Sequence, residues 1–118
     1  MDSLQNIALI FVAAALGGLT MLAMRLSGRA QPPTWLAIGH GLIALSGLVL
    51  LGRLERTTYQ PDPVRWAIGC FLAAAAGGVF IFLRYHRRGI PLPIPLVLGH
   101  GLIAATGLVL LLKTAYGW

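Results

Sequence analysis

Acidic residues are scarce in this 118-residue chain: three Asp/Glu stand against nine Lys/Arg. Charged residues of both signs reach only 10%, where a soluble domain carries about 25%. Hydrophobic residues make up 58%, more than a water-soluble fold of this length can bury, so the composition is that of an integral membrane protein. The single cysteine, Cys70, excludes a disulfide scaffold. It lies in an apolar run and gives no redox compartment. Disorder and coiled coil are excluded by the same apolar composition. No nucleophile–base pair, zinc motif, phosphate loop or dinucleotide fingerprint occurs, which argues against hydrolytic and phosphoryl-transfer enzymes. The net charge of +6 would suggest nucleic acid in a soluble protein. Here the basic residues flank apolar runs and suit anionic lipid head groups, so no nucleic-acid partner is expected.

Four apolar runs are present, at about 5–24, 35–52, 66–83 and 94–112. Each approaches the roughly 20 residues that a membrane helix needs. Met1-Asp2-Ser3 lacks a basic leader region, so the first run reads as a span and not as a cleavable signal. The connections are polar or Pro-rich: Arg25 to Thr34, Arg53 to Arg65 and Arg84 to Pro93. No strand alternation appears, and a bilayer admits only helices or closed barrels. The expected fold is an all-α membrane bundle of four helices in one domain. Asp62-Pro63 reads as a helix start, with Asp as cap and Pro at the first helical position. Trp35, Trp66, Tyr116 and Trp118 fall at span ends, as interfacial aromatic belts do.

The chain repeats itself. Residues 39–51, GHGLIALSGLVLL, return as residues 99–111, GHGLIAATGLVLL, with 11 identities in 13 at an offset of 60. The same offset pairs Ala13-Ala14-Ala15-Leu16-Gly17-Gly18 with Ala73-Ala74-Ala75-Ala76-Gly77-Gly78, Phe11 with Phe71, and Pro33 with Pro93. No gap is needed. The reading is a duplicated helical hairpin, at about 5–53 and 65–113. Each copy holds an even number of spans. The copies therefore run parallel, related by a pseudo-two-fold axis along the membrane normal.

His40 and His100 then occupy the same depth on equivalent helices. Each follows a proline by seven residues, which puts it about 10 Å inside its helix. At helical spacing, His40 shares a stripe with Pro33, Ala37, Ala44 and Gly47, and His100 with Pro93, Val97, Ala104 and Gly107. Small residues at four-residue spacing let membrane helices approach closely. Both histidines are thus expected to point into the bundle and face each other across the axis. Ala14-x-x-x-Gly18 and Ala74-x-x-x-Gly78 on the partner spans read as packing faces.

An ionisable residue inside a membrane is costly, and function is the default reading. No Asp, Glu, Lys or Arg lies inside a span, which argues against a carboxylate-based antiporter. Two imidazoles on one axis suit the two faces of an iron porphyrin. The expectation is one low-spin haem b, with His40 and His100 as iron ligands. Gly39, Gly41, Ala44, Gly47, Gly99, Gly101, Ala104 and Gly107 would leave room for the macrocycle. Arg29, Arg87 and Arg88 would pair with its propionates. This layout resembles the general plan of membrane-embedded four-helix b-type cytochromes, without a diagnostic motif. The implied role is electron transfer, to or from a quinone or a redox partner protein, more as a carrier or oxidoreductase subunit than as a stand-alone enzyme.

Two other readings remain open from sequence. The histidine pair would serve a small proton or metal transporter, because imidazole titrates near neutral pH. Alternatively, Gly-His-Gly is a tight helix crossing in an accessory subunit, with each imidazole bonded to a backbone carbonyl. The loops with Arg25, Arg29, Arg84, Arg87 and Arg88 outnumber Arg53, Arg56, Arg65 and Lys113 by five to four. By the positive-inside rule the termini lie outside and the two Arg loops are cytoplasmic, in what reads as a bacterial inner membrane. The cluster Arg84-Tyr85-His86-Arg87-Arg88 reads as a head-group anchor. Small faces on the first and third spans would allow a homodimer or a larger complex.

Overall fold

A computed structural model describes residues 3–117; Met1, Asp2 and Trp118 lie outside the described residues. Four helices form: α1 (Ser3–Leu26), α2 (Thr34–Thr57), α3 (Asp62–Ile81) and α4 (Ile94–Tyr116). A single wider π turn, Phe82–His86, continues α3. All four helices are long and apolar enough to cross a membrane. The long axis measures 43 Å, close to the roughly 40–45 Å of a bilayer with its head groups. Outward positions such as Leu16, Leu42, Leu102 and Val109 expose their side chains, which in a bilayer face lipid.

Short connections make neighbouring helices antiparallel. The sides of the bundle are α1–α2, α2–α3, α3–α4 and α4–α1, with the two hairpin pairs packed most extensively. The α1 and α3 helices lie on one diagonal, and α2 and α4, which carry the histidines, on the other.

The helices overrun the apolar segments. Residues 53–65 are not one polar connection: α2 continues through Arg53 and Glu55 to Thr57, and α3 begins at Asp62. Arg and Glu are good helix formers, so charge ends the apolar slab without ending the helix. Asp62 does not cap α3. Pro61 holds that position without a side-chain bond, and Asp62 instead lies 3.7 Å from Arg65 Nη1, beside the Arg65–Glu55 pair at 2.9 Å.

The packed core occupies one half of the bundle. Leu4, Ile7, Ala8 and Phe11 on α1 meet Leu51 on α2, Val64, Ala67 and Phe71 on α3, and Leu111 and Ala115 on α4. All belong to the half that holds the α2–α3 connection. The rings of Phe11 and Phe71 stack at 3.9 Å with a 3° interplanar angle. They bridge the α1–α3 diagonal at the inner edge of this core. Beyond Ala14 on α1 and Ala74 on α3, the helices bury no further apolar side chain among the described residues. In that half the inward positions, Gly17, Ala37, Ala44, Gly77, Val97 and Ala104 among them, are only half-buried.

The loops at this end are knitted together. Arg25 Nε donates to Leu92 O at 2.8 Å, and Gln31 Nε2 to Ile90 O at 3.0 Å. The Leu92 amide donates to Ala30 O at 3.1 Å. Leu51 and Leu111 are both fully buried at an offset of 60, but in these loops the offset differs. Arg29 N bonds Met24 O, and Ile90 N bonds Tyr85 O; Gly28 N bonds Arg25 O, and Gly89 N bonds His86 O, so the two turns match at an offset of 61. The π turn absorbs one extra residue. Sequence alignment without a gap missed that shift, because the difference is taken up inside a helix. Gly28 (φ 107°) and Gly89 (φ 72°) supply the left-handed conformation that each turn requires.

Candidate functional site

Each hairpin repeats one local arrangement. His40 on α2 reaches across to α1, where Nδ1 lies 2.8 Å from Ala14 O. His100 on α4 reaches to α3, where Nδ1 lies 2.8 Å from Ala74 O. A helix carbonyl only accepts, so both Nδ1 atoms carry the proton and donate it. The lone pair of the neutral ring then resides on Nε2. No hydrogen bond engages either Nε2 among the described residues. This matches the usual arrangement of a ligating histidine, in which one ring nitrogen is held by a backbone carbonyl and the other stays available.

The two rings meet across the α2–α4 diagonal. Their centres are 6.2 Å apart and their planes lie at 75°. For comparison, two imidazoles bound through Nε2 on opposite sides of one metal ion, at a bond length of about 2 Å, have ring centres roughly 6 Å apart. Both rings are half-buried and sit just beyond the Phe11–Phe71 stack, in the half of the bundle where the inward helix positions are only half-buried.

Two glycine pairs found only as packing motifs in the sequence lie against the imidazoles. A Cβ at Gly18 would sit 3.1 Å from His40 Cε1, and one at Gly78 would sit 3.0 Å from His100 Cε1. A Cβ at Gly17 or Gly77 would make only ordinary contacts, 3.7 Å from His40 Cβ and 3.9 Å from His100 Nδ1. The four-residue spacing from Ala14 to Gly18 was the signal for this. It puts the accepting carbonyl and the glycine on one face of α1, and Ala74 and Gly78 do the same on α3.

The other expected site residues divide. Gly39 and Gly99 flank the histidines, and a Cβ on either would meet nothing within 4 Å. Gly41 and Gly101 are exposed and likewise meet nothing. Ala44 and Ala104 face inward, half-buried. Gly47 and Gly107 are held by the packed core instead: a Cβ would come within 3.0 Å of Phe11 Cζ at the first, and of Cys70 Cβ at the second. Arg29, Arg87 and Arg88 are exposed on the loops at the histidine end. His86, read from sequence as part of a surface cluster, is buried. It stacks on Phe82 with ring centres 5.1 Å apart, and Nε2 lies 3.1 Å from Thr34 Oγ1. The shift in register at the π turn puts it where α1 has the inward Arg25.

Among the described residues, no group of three or more His, Cys, Asp or Glu is arranged to hold a metal ion. The two facing imidazoles are the pair of nitrogen donors that this arrangement brings together. No family model, curated protein or solved structure matches the chain.

Proposed function

We propose that the protein is a membrane-embedded b-type cytochrome that binds one haem through His40 and His100 and transfers electrons. The observation that carries this reading is the ring pair itself. Two imidazoles with proton-bearing Nδ1 atoms anchored to Ala14 O and Ala74 O stand 6.2 Å apart. That spacing fits two trans ligands on one metal. Room for a flat macrocycle is supported by the open space adjoining Gly39 and Gly99 and by the half-buried inward positions around the rings. When bound, haem supplies a one-electron redox centre.

The chain's own residues have separate tasks. His40 and His100 hold the iron. The Ala14 and Ala74 carbonyls hold the proton on Nδ1 and so keep the Nε2 atoms aprotic. Arg29, Arg87 and Arg88 are placed at the loop end, where carboxylates of the group would emerge, and the Phe11–Phe71 stack closes the site from below. Were both histidines to hold the group, the protein would supply two nitrogen ligands, a set that suits electron exchange with a quinone or a redox partner protein. The offset of 60 supports an origin in a duplicated hairpin, with the two ligands related by a pseudo-two-fold axis. The five-to-four bias of basic residues supports cytoplasmic Arg loops and external termini.

The reading is tested by a reduced-minus-oxidised visible spectrum of protein purified from haem-sufficient cells. A sharp α band and a strong Soret peak are expected. A colourless, folded protein overturns the proposal.

A further inference from the structure

We propose that Gly18 and Gly78 are positioning residues that, with the Ala14 and Ala74 carbonyls, set both the tautomer and the plane of the two imidazoles. The consequence for the loaded site rests on the bis-imidazole reading; the consequence for the rings themselves does not.

Three observations converge. Each ring is tied at Nδ1 to a carbonyl one turn before the glycine, at 2.8 Å in both hairpins. The second condition comes from the glycine, whose missing side chain leaves room for Cε1, the carbon between the two ring nitrogens. A ring held at Nδ1 keeps its plane because the glycine leaves the space beside Cε1 free, where a Cβ would stand only 3.1 or 3.0 Å away. Finally, the two planes end 75° apart. Because each plane is set by its own α1 or α3 helix, the angle between them is a property of the bundle and not of a bound ligand.

A methyl group at position 18 would need to displace Cε1 from a 3.1 Å approach, and one at position 78 from 3.0 Å. The ring turns, the hydrogen bond to the carbonyl lengthens, and the proton redistributes between Nδ1 and Nε2. Positions 17 and 77 offer matched controls. They carry the same residue on the same helix turn, with ordinary contacts to the same rings.

The test uses G17A, G18A, G77A and G78A. In haem-free protein in detergent, 15N NMR of the imidazoles is expected to show Nδ1–H at both His40 and His100 in the parent, G17A and G77A. Loss of that signature is expected at His40 alone in G18A and at His100 alone in G78A. In the ferric, haem-loaded protein, near-perpendicular ligand planes give one broad large-g EPR feature, whereas parallel planes give a resolved rhombic set. The parent, G17A and G77A should show the former, and G18A and G78A a shift toward the latter. A merely structural glycine would lower stability without moving either signature. The proposal is overturned if G18A and G78A keep the parent tautomers, if their EPR signal is unchanged, or if G17A and G77A move it equally. A protein that takes up no haem removes the cytochrome reading, while the NMR comparison still decides the role of the glycines.

Discussion

Phe11 and Phe71 stack face to face on the α1–α3 diagonal, 3.9 Å apart and within 3° of parallel. They divide the bundle. On one side lie Leu51, Val64 and Leu111, each fully buried; on the other lie two half-buried imidazoles. The division separates the packed core from the proposed site, and it makes both parts testable by different measurements.

Truncating the stack should cost stability first. Phe11→Ala or Phe71→Ala removes a buried ring and leaves a cavity, a change that costs about 3–5 kcal/mol in protein cores. Unfolding in detergent, followed by circular dichroism, should show the loss for either variant. A stability change below about 1 kcal/mol would mean that the stack is not part of the core.

The equivalent glycines Gly47 and Gly107 should respond unequally to alanine. The nearest atoms to a new methyl at 47 are Phe11 ring atoms and an Ile10 methyl, which can shift. At 107 they include Cys70 Cβ at 3.0 Å and the Ala67 carbonyl oxygen at 3.3 Å. Backbone cannot yield as a ring edge can, so Gly107→Ala should be the more destabilising, toward the upper part of the roughly 1–3 kcal/mol range for overpacking. Equal midpoints for the two variants would contradict this.

Removing a ligand should act on the spectrum before the fold. His40→Ala and His100→Ala each delete one hydrogen bond to a carbonyl; interhelical polar bonds in membranes contribute about 0.6 kcal/mol on average. Both variants should insert and remain helical while the low-spin spectrum disappears. Retention of the parent spectrum by either variant would exclude that histidine as a ligand.

Electron exchange should be one-sided. Along α2, His40 lies six residues from Thr34 and seventeen from Thr57, about 9 and 25 Å at the helical rise. The longer route also crosses the packed core, and tunnelling falls steeply with distance. In proteoliposomes, a membrane-impermeant reductant should rapidly reduce only molecules whose Arg loops face it. Orientation can be scored by labelling S27C with an impermeant maleimide in a C70A background. Equal rates on both faces would refute the expectation.

His86 should matter to the fold although it belongs to no repeat motif. It is buried against Phe82 and hydrogen-bonded to Thr34 Oγ1 at 3.1 Å. His86→Ala leaves the end of α3 without its tie to the start of α2, and a cost of about 1–3 kcal/mol follows from the lost packing and hydrogen bond. Thermal denaturation of this variant beside Arg87→Ala, an exposed neighbour expected to be near neutral, makes the comparison.

Much of the architecture was readable in the amino acids because a bilayer imposes few solutions. Apolar runs of about 20 residues must be helices, and His40 and His100 stood out because nothing else charged or titratable except Cys70 lay within the runs. Equal surroundings at an offset of 60 made them the expected pair, and their ring centres stand 6.2 Å apart. What escaped was local and three-dimensional. Arg53, Glu55 and Arg65 looked like a connection but are helical, since polarity marks the edge of the apolar slab and not the end of hydrogen bonding. His86 looked like surface, because its neighbours in sequence are basic and only a π turn rotates it inward.

By itself, then, the sequence determined the four helices, their length and the recurrence of one histidine per hairpin, all consequences of hydropathy and repetition. Only the tertiary structure decided which nitrogen of each imidazole is held, that Gly18 and Gly78 leave room beside the rings while Gly47 and Gly107 serve the core, and that the largest buried side chains of the helices gather in one half of the bundle. Those outcomes depend on how helices cross and which carbonyl comes within reach, and such distances arise between residues 26 apart in the chain.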